Sequence, residues 1–324
     1  MNVTDWYPIQ FKPILKEKIW GGQQLKTFLS KTDQDLPFGE SWEIADLSNG
    51  QSIITNGALE GKTLGEVMSA FAKAVLGASV VERFGEKFPL LIKYIDAADD
   101  LSVQLHPDDI LAEQLHNGKG KTEMWYILKA EPGAQLIIGF DGEMTPEKFD
   151  ASVANGTVND NLQYLDVKAG DSFFISAGLI HAIGKGIVLA EIQQTSDITY
   201  RVFDYNRKQP DGSLRDLHID HARKALNYTN PDDYILEHNP TTIGAQVLKH
   251  CPFFKTDITL LDHTPYTIDR TDSFTVLMMV AGEMVCTHQG EAYHLSLGET
   301  LLIPADCTSV SIEGVDAKFL EVYL

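Results

Sequence analysis

Two stretches of this 324-residue chain echo two others far downstream. Trp125-Tyr-Ile-Leu-Lys-Ala-Glu131 resembles Leu277-Met-Met-Val-Ala-Gly-Glu283, and Gly170-Asp-Ser-Phe-Phe-Ile-Ser-Ala177 resembles Gly298-Glu-Thr-Leu-Leu-Ile-Pro-Ala305. The pairs are offset by 152 and 128 residues, so the first copy carries about two dozen extra residues between its halves. A helical insert over 145–161 accounts for most of that excess. Each echoed stretch has strand length and strand composition. The pattern predicts two tandem β modules of jelly-roll type, closed so that strand edges are not left open.

Helical periodicity is confined to a few segments. Thr63-Leu-Gly-Glu66 reads as a capping box, with Leu64, Val67, Met68, Phe71 and Val75 on one face and Gly77 as the stop. Residues 107–118 predict a short helix with Pro107 at its first position, acids in the first turn and Gly118 at its end. Thr145-Pro146 opens another, ending near Asn155-Gly156, and residues 214–227 predict a third such insert. Elsewhere short alternating or apolar runs are punctuated by Gly and Pro, so the expected fold class is mainly β.

The chemistry concentrates in the first module. In Leu101-Ser-Val-Gln-Leu-His-Pro107, a strand puts Ser102, Gln104 and His106 on one face and Leu101, Val103 and Leu105 on the other. A polar face on an otherwise apolar strand lines something wet, metallic or catalytic. His106 precedes the 107–118 helix, near its N-cap, where the helix dipole favours the neutral, metal-binding imidazole. Glu123 sits among Met, Trp, Tyr, Ile and Leu, where a carboxylate must be paired, metal-bound or protonated. His181 ends an apolar run that starts at Gly170. Two imidazoles, a carboxylate and an amide oxygen, all strand-borne, read as a divalent metal site with a position left for water or substrate.

Carrying Glu123 and His181 forward by the echo offsets lands on Thr275 and Ser309. The second module is therefore expected to hold no metal, and His263, His288 and His294 read as solvated surface histidines. The expected division is 1–235, metal-binding with the helical inserts, and 236–324, metal-free.

Charged residues surround the metal-type set. Lys93 interrupts Phe88-Pro-Leu-Leu-Ile-Lys-Tyr-Ile95. If buried, it shifts its pKa downward and serves as a base or anion anchor; on an edge strand it snorkels. Lys121 shares the parity of Glu123, facing the same cavity or forming a surface pair with it. Glu191, Gln193 and Thr195 alternate against Ile192 and place polar groups on one strand face. Arg201 reads as a bidentate clamp for phosphate or an oxyanion, or as a surface residue paired with Asp204.

Composition excludes other classes. A formal net charge of −20 argues against nucleic acid, though a locally basic pocket still admits a small anion. The N-terminal Met1-Asn-Val-Thr-Asp-Trp-Tyr-Pro8 has neither a basic flank nor an apolar core, so no signal peptide is expected. The longest apolar stretch, around 274–281, is too short to span a membrane. Cys251, Cys286 and Cys307 lack metal-type spacing and read as free thiols in a reducing cytoplasm. Walker, Rossmann, nucleophile-elbow and paired-cysteine zinc motifs are all missing.

Together these segments resemble the type I phosphomannose isomerases, zinc enzymes of cupin fold. The resemblance runs through Ile19-Trp-Gly-Gly22, Gly39-Glu-Ser-Trp-Glu43, Phe88-Pro-Leu-Leu-Ile-Lys93, Leu101-Ser-Val-Gln-Leu-His-Pro-Asp108, Lys121-Thr-Glu123, Gly178-Leu-Ile-His-Ala182 and the stretch from Glu191 to Arg201. Only 57 residues separate Glu123 from His181, too few for the helical domain of the longer members, so the chain is similar to the short bacterial form. The resemblance implies two cupin-type jelly-roll barrels and interconversion of D-mannose 6-phosphate and D-fructose 6-phosphate. It implies one zinc per chain, held by Gln104, His106, Glu123 and His181, with Arg201 as an active-site arginine. Lys93, Lys121 and Glu191 match polar pocket positions, and Ser102 joins Lys93, Lys121 and Arg201 as expected substrate contacts. Oligomeric state and the proton-carrying group stay open. A non-catalytic sugar-binding cupin and a metal-dependent oxygenase are the rival classes; the first has no need of Lys93 and Arg201, and the second uses two His and a carboxylate.

Overall fold

The computed structural model describes residues 5–209 and 211–324; Met1 to Thr4, part of the segment read for a signal peptide, and Pro210 lie outside them. The N-terminal part is built on an antiparallel sheet of seven strands. Their spatial order is Ile235–Leu236, Ser172–Ile175, Glu123–Ala130, Ile187–Gln194, Leu90–Ala97, Phe38–Ile44 and Ile14–Gly22. A second sheet orders Leu162–Asp166, Gln135–Phe140, His181–Ile183, Val103–Leu105 and Tyr200–Phe203.

Period-two alternation sorts the central strands of the larger sheet between two cores. Trp125, Ile127, Leu189 and Ile95 pack with Leu136, Ile138 and Ile183 of the five-stranded sheet. Met124, Tyr126, Ala190, Ile192 and Tyr94 face the other way, into a core shared with Val276, Leu277 and Met278 of the C-terminal sheet. Both faces being covered, these strands read as near-continuous apolar runs. The polar residues Lys93, Glu123, Glu191 and Gln193 on the first face are thereby buried between the two sheets.

The mainly β class and the cupin-like architecture stand, but the ladders do not close into barrels. Edges are managed otherwise. The larger sheet ends on the two-residue strand Ile235–Leu236 at one side, and on Ile14–Gly22, with its Lys16-Glu-Lys18 charges, at the other.

The helix Leu64–Leu76 has both bonds of its capping box, and Gly77 ends it at φ 92°, a backbone conformation that favours glycine. Pro146–Asn155 runs between caps Thr145 and Gly156 as read. The 107–118 reading needs correcting. The helix is Asp109–His116, capped by the Asp108 side chain on the Leu111 N–H, and it ends at left-handed Asn117. Asp108 outcompetes Pro107 for the start because its carboxylate satisfies an otherwise orphaned donor. The third insert is shorter than expected, Ile219–Ala225.

In the C-terminal part, Gly244–His250, Lys255–Asp262, Val310–Tyr323, Thr275–His288 and Glu291–Ser296 form one sheet, with Tyr266–Ile268 and Thr300–Ile303 attached. The echo is real at the level of register. Phe173 faces Trp125 as Leu301 faces Leu277, and Ile175 faces Glu123 as Ile303 faces Thr275. The next ladder extends it: Glu191 faces Trp125, and Glu321 faces Leu277. Thr275 is buried and Ser309 exposed. Arg270 Nη1 donates to Glu321 Oε1 at 2.8 Å and to Thr275 Oγ1 at 3.1 Å. His288, read as a surface residue, is buried, its ring nitrogen 3.0 Å from the Trp6 carbonyl.

Candidate metal centre and its cavity

Glu123 begins a strand of the seven-stranded sheet, His181 begins a strand of the facing sheet, and His106 lies one residue past that sheet's strand Val103–Leu105. The three side chains converge between them. Glu123 Oε2 lies 3.6 Å from His106 Nε2, and Oε1 lies 3.6 Å from His181 Nε2. All three are about 1% exposed, and their ligand atoms fall within 4.8 Å of one another. His106 Nε2, His181 Nε2 and Glu123 Oε2 have no hydrogen-bond partner. Each imidazole spends its other nitrogen on a backbone carbonyl, His106 Nδ1 on Ile198 and His181 Nδ1 on Leu179, both at 2.9 Å. That fixes the tautomer with Nε2 free to donate its lone pair.

Electrostatics favour the neutral imidazoles. Burial first, then the charge of Lys121, holds His106 well below the ordinary histidine range. Burial likewise takes His181 down to about 4. The helix-dipole reason given for His106 is replaced, since the helix starts at Asp109 and its cap is Asp108. Burial pushes the Glu123 carboxyl up, against the opposing charge of Lys121.

A cavity of about 390 Å³ adjoins the cluster. Ser102, Gln104, Lys93, Lys121, His181, Glu191 and Arg201 line it, all of them picked from the sequence. Gln104 faces His181 on one side and Arg201 on the other, and its Oε1 accepts from Ser102 Oγ at 3.2 Å. Lys121 Nζ stands 3.3 Å from Glu123 Oε2, a buried contact rather than a surface pair.

Lys93 departs from expectation. Its Nζ donates to Glu191 Oε2 at 2.7 Å and to Gln193 Oε1 at 2.6 Å. Burial alone would discharge it, yet Glu191 and Glu40 outweigh that cost and raise its pKa. It is a fixed cation. Glu191 is correspondingly lowered: burial opposes, Lys93 and Lys121 prevail, and its Oε1 also accepts from Trp125 Nε1 at 3.1 Å. Arg201 makes no ion pair with Asp204; its Nε reaches Ser102 Oγ at 3.3 Å and its Nη1 the Asp216 carbonyl at 2.9 Å.

Sequence reasoning gave no role to Glu40, Asp197 and Arg215, which also line the cavity. Glu40 lay inside the Gly39-Glu-Ser-Trp-Glu43 motif. Burial opposes its charge, but Lys93, Lys18 and the Trp42 indole hold it down to about 2.

Donor atoms without a hydrogen-bond partner, clasped between two facing sheets, mark the chain as a candidate metalloprotein of jelly-roll type. Comparison with known proteins narrows the class. The family model described as phosphomannose isomerase type I, catalytic domain, matches residues 9–131, and that of the mannose-6-phosphate isomerase cupin domain matches 245–324. The mannose-6-phosphate isomerase ManA of Bacillus subtilis (strain 168) is 34% identical over 310 residues, 95% of this chain and 96% of its own. The chain belongs to the type I phosphomannose isomerase family. The crystal structure of the mannose 6-phosphate isomerase from Bacillus subtilis superposes with a TM-score of 0.90 at 30% identity, covering 98% of this chain and all of that one. A mannose 6-phosphate isomerase described as bound with zinc and yttrium shares the fold at 18% identity, with a TM-score of 0.77 over 98% of this chain and 99% of its own.

Proposed function

We propose that the protein is a zinc-dependent aldose–ketose isomerase that interconverts D-mannose 6-phosphate and D-fructose 6-phosphate. The observation that carries this is the set of buried donor atoms without a hydrogen-bond partner on His106, Glu123 and His181, beside a cavity where five cations outnumber three acids. Those atoms fit a zinc ion in ligand type, tautomer and charge, and the Gln104 amide oxygen completes the set. Zinc, when bound, supplies Lewis acidity toward the carbonyl and hydroxyl oxygens of the sugar.

The reaction moves a proton between C1 and C2 through an enediol, with negative charge growing on oxygen. Lys93, fixed as a cation by Glu191 and Gln193, offsets that charge without giving up its proton. Arg201, free of any carboxylate partner among the described residues, takes the phosphate, with Ser102 orienting its guanidinium. Lys93 and Glu191 saturate each other, which leaves Lys121, 3.3 Å from Glu123 on the cavity wall, as the side chain to carry the proton. The catalytic work belongs to residues 1–235, and 236–324 form the metal-free module. The small charged substrate and the acidic surface suit a cytoplasmic enzyme.

A coupled assay with mannose 6-phosphate, fructose 6-phosphate and glucose 6-phosphate, run beside metal analysis, tests this. Reversible turnover of the first two, abolished by a chelator and restored by Zn²⁺, is expected. Full activity in metal-free protein would remove the metal from the reaction.

A further inference from the structure

Two guanidiniums share one buried carboxylate beside the cavity wall. Asp204 is 6% exposed; its Oδ2 accepts Arg215 Nε at 2.7 Å, and its Oδ1 accepts Arg207 Nη2 at 2.7 Å and Arg215 Nη2. Arg207 is spent elsewhere, on the Asp100 carbonyl and, at 3.6 Å, on the exposed Asp99. Arg215 and Arg201 both line the cavity. The Arg201 guanidinium is pushed below its ordinary range, first by burial and next by the charge of Arg215. Asp197, another acid on the wall, is engaged by Asn49 Nδ2 at 2.7 Å. A chain of net charge −20 thus gathers a local surplus of positive charge here, beside a cavity sized for a small molecule.

Building this surplus is costly unless an anion repays it. Asp204 and Asp99 together balance Arg207 and Arg215, so Arg201, with no ion pair among the described residues, supplies the excess positive charge. Asp204 also grips Arg215 through two of its five N–H groups, so the fork is rigid and its remaining donors are aimed rather than free to wander. We propose that Arg215, held by Asp204, is the second arm of a phosphoryl clamp whose first arm is Arg201, and that it sets the preference for phosphorylated over free sugars. This rests on the function proposed above and deepens it. Arg215 binds the ligand; Asp204 is a positioning residue that acts through it.

The test measures inorganic phosphate binding by calorimetry and the KM for mannose 6-phosphate in the zinc-loaded enzyme. It compares the parent, Arg215→Met, Arg215→Lys and Asp204→Asn. Arg223→Ala, whose partners Asp150 and Asp220 lie at the surface, serves as the control for loss of one arginine. Arg215→Met is expected to weaken phosphate and raise KM about 10- to 100-fold, the loss typical of a charge-assisted contact. Arg215→Lys should recover only part, because a point charge cannot fork. Asp204→Asn should raise KM in step with its loss of phosphate affinity, while zinc content stays at the parent level. Unchanged phosphate affinity and KM in Arg215→Met overturn the clamp, as does a parent that binds no phosphate. A parent that binds phosphate through Arg215 but turns over no sugar phosphate sinks the isomerase reading and leaves the clamp standing.

Discussion

Lys93 and Glu191 are register partners on adjacent strands, and their side chains meet at 2.7 Å in near-complete burial. Neither charge is tolerable there alone. Replacing Lys93 by Met takes from buried Glu191 its direct ion-pair partner, so stability should fall by about 3–5 kcal/mol. Adding Glu191→Gln should recover part of that loss. Urea midpoints for both variants check it, and a single variant as stable as the parent contradicts the pairing.

His181 and Arg201 both sit next to Gln104 in the ladder, yet their removal should separate metal binding from turnover. His181→Ala should lose most of its zinc, and activity with it. Arg201→Ala should keep the metal and lose turnover of the phosphorylated sugar. Zinc per chain, measured after desalting, decides; equal metal loss in both variants takes Arg201 out of its assigned place.

Glu40 gives a pH signature. Its carboxyl lies at about 2 in the fold against an ordinary value of 4.5, so the unfolded chain binds the proton more readily between those limits. Its contribution is complete above about pH 4.5 and is lost as pH falls toward 2. The stability gap between the parent and Glu40→Gln should therefore be widest near neutrality and shrink on acidification. Denaturant titrations at pH 7, 4 and 3 read it, and a gap that grows toward acid reverses the sign.

Arg270 offers a test in the other half. It donates to buried Glu321, the counterpart of Glu191, and its ring-facing side lies 3.5 Å from the Tyr323 centroid. Arg270→Ala should cost on the order of 3 kcal/mol by leaving that carboxylate unpaired, while zinc content per folded chain stays constant. Metal loss in this variant would tie the C-terminal sheet to the centre.

Much of the site was legible because strands obey a simple period. Gln104 and His106 share a face by alternation, and Glu123 announces itself as a carboxylate among apolar neighbours. The protonation state of Lys93 was not legible. It depends on Glu191, Gln193 and Glu40, which only tertiary pairing brings to it. Arg215 was missed for a related reason: it lies in an irregular loop, where no period links it to Asp204, eleven residues earlier. The echo revealed Thr275 and Ser309 but not Glu321, whose equivalence to Glu191 emerges from ladder register. Open ladders in place of barrels follow from long-range edge pairing, which local pattern does not encode.

The donor triad draws Glu123 from one sheet, His181 from the other and His106 from the loop that leaves that second sheet, so an ion seated there would rivet the two layers of the sandwich. Pulling the layers apart would then require giving up the ion, and free zinc at a hundredfold excess over its dissociation constant would add about 2.7 kcal/mol to the folded state. The lifetime of such a protein becomes a gauge of the metal supply around it.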